Sequence, residues 1–139
     1  MYKSILLAAD GSENSTRAGN QAAQLASLVK GAEVTLVYVS DFKEDSHEEL
    51  HDGGAIEFEL SRKKKIQPIR EALEREKIFY KTKILHGRPA PTIIELANEG
   101  NFDLVVIGSR GLNALSEIML GSVSHKVVNG VNCPVLVVK

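Results

Sequence analysis

With 139 residues, 43% of them hydrophobic and 25% charged, the chain has the composition of one soluble globular domain spanning 1–139. A formal net charge of −1 excludes a broad field for nucleic acid or an anionic membrane, although a small nucleotide needs only a local site. The single cysteine, Cys133, excludes an internal disulfide framework and a thiolate metal cluster and suits a reducing compartment.

Five apolar runs follow one another, separated by stretches of helical period. "SILLAA" (Ser4–Ala9) is short and continuously apolar, as expected of a strand covered on both faces. Ser15–Val29 then places Ala18, Ala22, Leu25, Ala26 and Val29 on one helical face. "EVTLVYV" (Glu33–Val39) is β-branched and aromatic, a second strand. From Ser40 to about Ala55 the chain is irregular, with six acidic residues against one lysine. A helix from about Ile56 to Lys77 turns Leu60, Ile66, Ile69 and Leu73 inward, and Pro68 is expected to bend or interrupt it. "YKTKIL" (Tyr80–Leu85) alternates lysines with Thr82 and Ile84, the pattern of a half-exposed edge strand. "HGRPAP" is a turn leading to a short helix over Thr92–Glu99. "DLVVIG" (Asp103–Gly108) is again a buried strand, Ser122–Asn129 a helix stopped by Gly130, and "PVLVV" (Pro134–Val138) a strand opened by proline. Strand and helix alternate throughout, which predicts a three-layer α/β sandwich around a parallel sheet. No run approaches the ~20 residues of a membrane span. The start, "MYKSILLAAD", lacks the features of a signal peptide, so a cytoplasmic location is expected.

In open parallel sheets ligands bind beyond the carboxyl ends of the strands, so the loops there carry the search for a site. The fourth such loop, "GSRGLNALSEIMLGSVSHKVV", is distinctive. Gly108, Gly111 and Gly121 let backbone come close to a ligand. Gly121, Ser122 and Val123 offer N–H groups at a helix N-terminus, where the dipole favours anions, and the hydroxyls of Ser122 and Ser124 can add donors. Together these residues read as a phosphate cradle. Arg110 lies inside it and either meets phosphate or faces solvent. His125 lies one turn into the helix, near the far end of a phosphate chain or simply on the helix surface.

In the first loop, Asp10 of "AADGS" can accept from ribose hydroxyls, hold a divalent cation, or cap the helix that follows. If the first and fourth loops work together, their strands are neighbours and the sheet order is 3-2-1-4-5. A flavodoxin-like order would instead emphasise the first and third loops. The third loop has Gly87 and Arg88, but Pro89 and Pro91 remove N–H donors from it.

The spacing Gly108-x2-Gly111-x9-Gly121-Ser122, with "ILLAADGS", "VYVSD", "HGRPAPTIIELA", "DLVVIGSRG", "GSVSHKVV" and "CPVLVVK" around it, resembles the ATP-binding signature and full length of the universal stress protein family. The resemblance implies a Rossmann-like, open five-stranded parallel sheet of order 3-2-1-4-5, with helices on both faces. It implies that Asp10 meets ribose or metal and that the backbone of Val39 meets adenine. Ile107 and Gly108 would flank the nucleoside, and Gly111, Gly121, Ser122 and Val123 would hold the phosphates. It also implies a homodimer through the last strand, Pro134–Val138, which as an apolar edge invites pairing in its own right. Ala8 and Ala9 before Asp10, in the adenine wall, depart from the residues usual there. No P-loop lysine is present, so Mg²⁺ or Mn²⁺ is the expected companion of ATP at the phosphates, with Asp10 near it.

The resulting expectation is an ATP-binding stress-response module whose conformation or partners depend on the nucleotide. The alternatives are a weak metal-dependent ATPase, or a dimeric interaction protein whose pocket is usually empty or takes another adenylate. A competing lure is "HEELH" (His47 to His51), which fits the H-E-x-x-H zinc pattern, with Gly54 and Glu57 where a longer pattern continues. Its charged neighbours and Gly53-Gly54 argue instead for an acidic connector, which can border the adenine end of the pocket as a lid.

Overall fold

The computed structural model describes residues 1–40, 54–110 and 120–139. In chain order its elements are β1 (Ser4–Ala9), α1 (Glu13–Ser27), β2 (Glu33–Ser40), α2 (Gly54–Arg75), β3 (Phe79–His86), α3 (Pro89–Glu99), β4 (Leu104–Gly108), α4 (Ser122–Gly130) and β5 (Val135–Val138). The five strands form one parallel sheet in the order β3-β2-β1-β4-β5.

The central strands are long in apolar residues because both of their faces are covered. On one face Ile5, Leu7, Leu36, Tyr38 and Val106 meet Ala18, Ala22 and Ala26 of α1 and Ile66, Ile69 and Leu73 of α2. On the other, Leu6, Ala8, Val37, Val105 and Ile107 meet Ile93 and Ala97 of α3 and Val127 of α4. β3 is an edge strand, as expected, and pairs with β2 alone, but its burial does not alternate: Lys81, Thr82 and Lys83 are all exposed and Ile84 and Leu85 are half-buried. Helix α1 approaches α2 at a glycine, Gly19, where an added Cβ would lie 2.8 Å from Ile69 Cγ1.

Four local expectations narrow or change. Of the two outcomes expected at Pro68, a bend or an interruption, the interruption does not occur: α2 runs unbroken through it. Pro68 is exposed, so the carbonyl it leaves without an amide partner faces the solvent side of the helix. Leu60, expected inward, is 53% exposed. Lys65 packs on Gly11, just past the end of β1, and Leu60 lies five residues earlier. At 1.5 Å per residue it stands about 7 Å beyond the sheet's rim. Helix α3 begins at Pro89, not Thr92, with proline in its first turn. The first-turn amides of a helix lack intrahelical partners, so Pro89 and Pro91 cost it no hydrogen bond. Helix α1 starts at Glu13, two residues early, because Ser12 caps it: the Ser12 hydroxyl accepts from the Ser15 N–H at 3.2 Å.

Candidate functional site

β1 and β4 lie side by side, with Ala8 opposite Ile107, yet the chain leaves β1 towards β2 and leaves β4 towards β5. The order therefore reverses between them, and the loops after β1 and β4 diverge around a crevice at the carboxyl edge.

On the β1 side Asp10 follows Ala9. Its Oδ1 accepts the Ser12 N–H at 2.9 Å, which closes a local turn and delivers the chain to the Ser12 cap. Asp10 thus shapes the loop and does not itself cap α1, one of the alternatives open in the sequence. Gly11 sits at φ 86°, a conformation that favours glycine, with the Lys65 side chain 3.1 Å from the position of an added Cβ. Lys65 reaches Tyr38 at the end of β2, its Nζ 3.3 Å from the phenol oxygen.

On the β4 side the geometry differs from a set of free donors. The Gly121 N–H, expected to face a ligand, donates to the Ser109 carbonyl at 2.7 Å. The Ser124 hydroxyl, expected as a further donor, is buried and directed to the Ser109 carbonyl at 2.8 Å and the Gly121 carbonyl at 3.1 Å. Both groups anchor α4 to the end of β4. What remains at the helix mouth is the exposed Ser122 side chain with the N–H groups of Ser122 and Val123. Among the described residues no acceptor takes those two N–H groups, and Gly121 provides no side-chain cap. Such a mouth carries the partial positive charge of the helix end. His125 is exposed, with Nε2 3.3 Å from the Asn129 amide nitrogen, on the flank of α4.

Gly108 has a different neighbour from the one its sequence context suggests. A Cβ there would lie 2.9 Å from the Asn14 backbone carbon, so the missing side chain admits α1. Ala8, Val39 and Ile107 share the face that carries α3 and α4. Ala9 faces α1 and α2 instead, so its side chain is not brought to that group. Arg110 is half-buried two residues after Gly108. Gly111 and "HEELH" lie outside the described residues, whereas Gly54 and Glu57 fall within α2. Among the described residues, no group of three or more His, Cys, Asp or Glu side chains could hold a metal ion. Nor is any helix there long and apolar enough to cross a membrane.

Three contributors escaped the sequence reading: Ser109, Asn14 and Arg17. The Asn14 Nδ2 donates to Ser109 Oγ at 3.0 Å, and Arg17 donates to Asn14 Oδ1. Ser109 stood inside the glycine spacing and could have been noticed there. Nothing in the sequence joins it to α1.

Comparison with known proteins accords with this architecture. The model of the universal stress protein family matches residues 1–139. A Thermus aquaticus universal stress protein, encoded 3′ of a QAH/OAS sulfhydrylase, is 37% identical, with all of both chains covered. The solved structure of MJ0577, a universal stress protein of Methanocaldococcus jannaschii, superposes with a TM-score of 0.86 at 34% identity, covering 100% of this chain and 96% of that one. The Archaeoglobus fulgidus universal stress protein in complex with dAMP has a TM-score of 0.72 at 24% identity, with 99% and 98% covered, a likeness of fold alone. The chain belongs to the universal stress protein family.

Proposed function

We propose that this protein binds an adenine nucleotide, ATP with Mg²⁺ or Mn²⁺ in the first instance, in the crevice between the β1 and β4 loops, and serves as a nucleotide-dependent binding module in stress response. The observation that carries the reading is placement. The Asp10 turn follows β1 and the mouth of α4 is anchored to the end of β4, the two neighbouring strands between which the order reverses, and the N–H groups of Ser122 and Val123 have no acceptor among the described residues. In this reading the side chains of Ala8, Val39 and Ile107 border the nucleoside, and Ala9 and Gly108, whose α1 side is already filled, contribute backbone alone. Ser122 and Val123 hold phosphate oxygens through backbone N–H groups, with Arg110 and Gly111 beside them. Gly121 and Ser124 keep the mouth in position.

Asp10 offers one carboxylate at the rim, which fits a Mg²⁺ ion that keeps most of its waters and takes its other ligands from phosphates. A bound divalent ion would offset phosphate charge. The chain's own residues orient the ligand. The dAMP held by the Archaeoglobus relative guides the choice of probe and nothing more. The expected setting is the cytoplasm, where adenylates and a reduced Cys133 coexist.

The deciding experiment is titration of the purified protein with ATP, AMP and adenosine, with and without Mg²⁺, by calorimetry. Saturable binding of a phosphorylated adenylate, lost on Gly121→Leu, is the expected result. Failure to bind any adenylate in the presence of Mg²⁺ overturns the proposal.

A homodimer through Pro134–Val138 is part of the same proposal. All four residues of β5 are half-exposed, and in the described sheet β5 pairs with β4 alone. An apolar edge of this kind is covered when it pairs with its two-fold mate. A monomer mass in sedimentation at micromolar concentration would contradict it.

A further inference from the structure

Ser109 is 3% exposed, and its backbone and side chain engage three different elements. Its N–H donates to the Val138 carbonyl at the end of β5, at 2.7 Å. Its carbonyl accepts from the Gly121 N–H and the Ser124 hydroxyl at 2.7 and 2.8 Å, which fixes the start of α4. Its hydroxyl oxygen accepts from Asn14 Nδ2 of α1 at 3.0 Å. A second arm runs back to the C-terminal strand. Arg17 donates to Asn14 Oδ1 and, through Nε, to the main-chain oxygen of Lys139 at 2.8 Å. Two routes therefore join Val138 and Lys139 to one buried serine, and that serine suspends the mouth of α4.

We propose that Ser109 is a positioning residue that makes phosphate affinity at α4 depend on how the C-terminal strand is seated, with Asn14 and Arg17 as its second arm. The proposal rests on the nucleotide reading above and goes beyond it by assigning what sets the mouth's geometry. The hydrogen bonds of Ser109 to Asn14 and Ser124 are buried, where such bonds are directional and reinforce one another, whereas the outer end of the second arm, Arg17 to Lys139, is exposed. A shift of Val138 or Lys139 is thus transmitted to Ser109, and through its carbonyl to Gly121. The N–H groups of Ser122 and Val123 follow directly. On the nucleoside side of the crevice Ala8 and Val39 take no hydrogen bond from either arm, which touches that side only where Asn14 packs on Gly108. The signature of the node is consequently selective: phosphate contacts weaken while adenosine contacts persist. Pairing of β5 with another chain would act on the same lever.

The test compares wild type with Arg17→Ala, Arg17→Lys, Asn14→Ala and Ser109→Ala, using ATP with Mg²⁺ and adenosine as probes. Arg17 is exposed, so its variants keep the fold even if the buried ones do not. Arg17→Ala is expected to weaken ATP binding about three- to fivefold, the scale of one charged hydrogen bond after allowance for water, and adenosine binding less than about 1.5-fold. Arg17→Lys should recover part of the loss, and the Asn14→Ala/Arg17→Ala pair should cost no more than either single change. Backbone amide resonances of Gly121, Ser122 and Val123 in the ligand-free protein give an independent readout, and Arg17→Ala should shift them. Equal losses for ATP and adenosine overturn the proposal, as do unmoved resonances at all three positions. If wild type binds no adenylate, the functional reading fails, while the resonances still judge the node.

Discussion

Gly108 and Asn14 pack backbone against backbone: a Cβ on Gly108 would lie 2.9 Å from the Asn14 carbonyl carbon and 3.0 Å from its oxygen. Neither atom belongs to a flexible side chain, so the helix itself must retreat if a side chain is added. Gly108→Ala is therefore expected to cost about 1–3 kcal/mol, the range for overpacking a core, measured as a fall in the urea midpoint at unchanged slope. Because the retreat of α1 also pulls Asn14 from Ser109, the same variant should weaken nucleotide binding. A midpoint equal to wild type would show that α1 can slide without penalty.

Pro68 gives the opposite sign. It lies within the unbroken helix α2, exposed, immediately before the buried Ile69 and two residues after the buried Ile66. Pro68→Ala supplies an amide hydrogen to the helix and disturbs no buried contact. Proline in a helix interior costs about 3 kcal/mol against alanine, and the unfolded chain gains freedom on its removal, so a net gain of about 1–2 kcal/mol is expected. A rise in the thermal midpoint checks it, and a fall would mean that the proline fixes a bend needed for packing on α1.

Legibility in the sequence followed distance along the chain. The central strands were readable because burial on both faces leaves continuous apolar runs, as in "SILLAA" and "DLVVIG". The sheet order was readable from the two loops that carry the unusual residues, since a shared site requires β1 beside β4. The start of α3 was misplaced because Pro89 and Pro91 resemble a turn, and only the absence of partners for first-turn amides makes them helical. The commitments of Gly121 and Ser124 were hidden for another reason. Their partner is the Ser109 carbonyl, a backbone group that every residue type carries. Likewise the bond between Asn14 and Ser109 spans 95 positions and leaves no periodicity. The exposure of Leu60 is not legible in the sequence, because helical period reports a face and not where that helix outruns the sheet.

Asp103 fastens the opposite end of the sheet. Its Oδ2 accepts the N–H groups of Lys3 and Ser4 at 3.0 and 2.9 Å, and its own N–H donates to the Ser4 carbonyl at 2.8 Å. Asp103→Ala removes two hydrogen bonds to a charged acceptor at an exposed site, for which about 1 kcal/mol is expected after allowance for water. Asp103→Asn keeps a carbonyl acceptor and should lose less than half of that. The amide exchange rates of Lys3 and Ser4 locate the effect: they should rise in the alanine variant and stay near wild type in the asparagine one.

Cys133 is half-buried against the α3–α4 face of the sheet, immediately before Pro134. Burial, the largest influence, pushes its thiol up from the ordinary value of 9.0, and the charge of Asp103 adds to the rise. The folded chain therefore holds the proton more tightly than the unfolded chain. The resulting stabilisation is fully present below the ordinary value and is lost as pH rises through the folded one. Stability of wild type should fall with pH above about 9, and Cys133→Ala should lack that component of the slope. At neutral pH the same shift keeps the thiolate scarce, so iodoacetamide should modify the native protein much more slowly than the urea-unfolded chain. Equal rates in the two states would mean that Cys133 is reached by water in the native fold, and the pH-dependent component should then vanish with it.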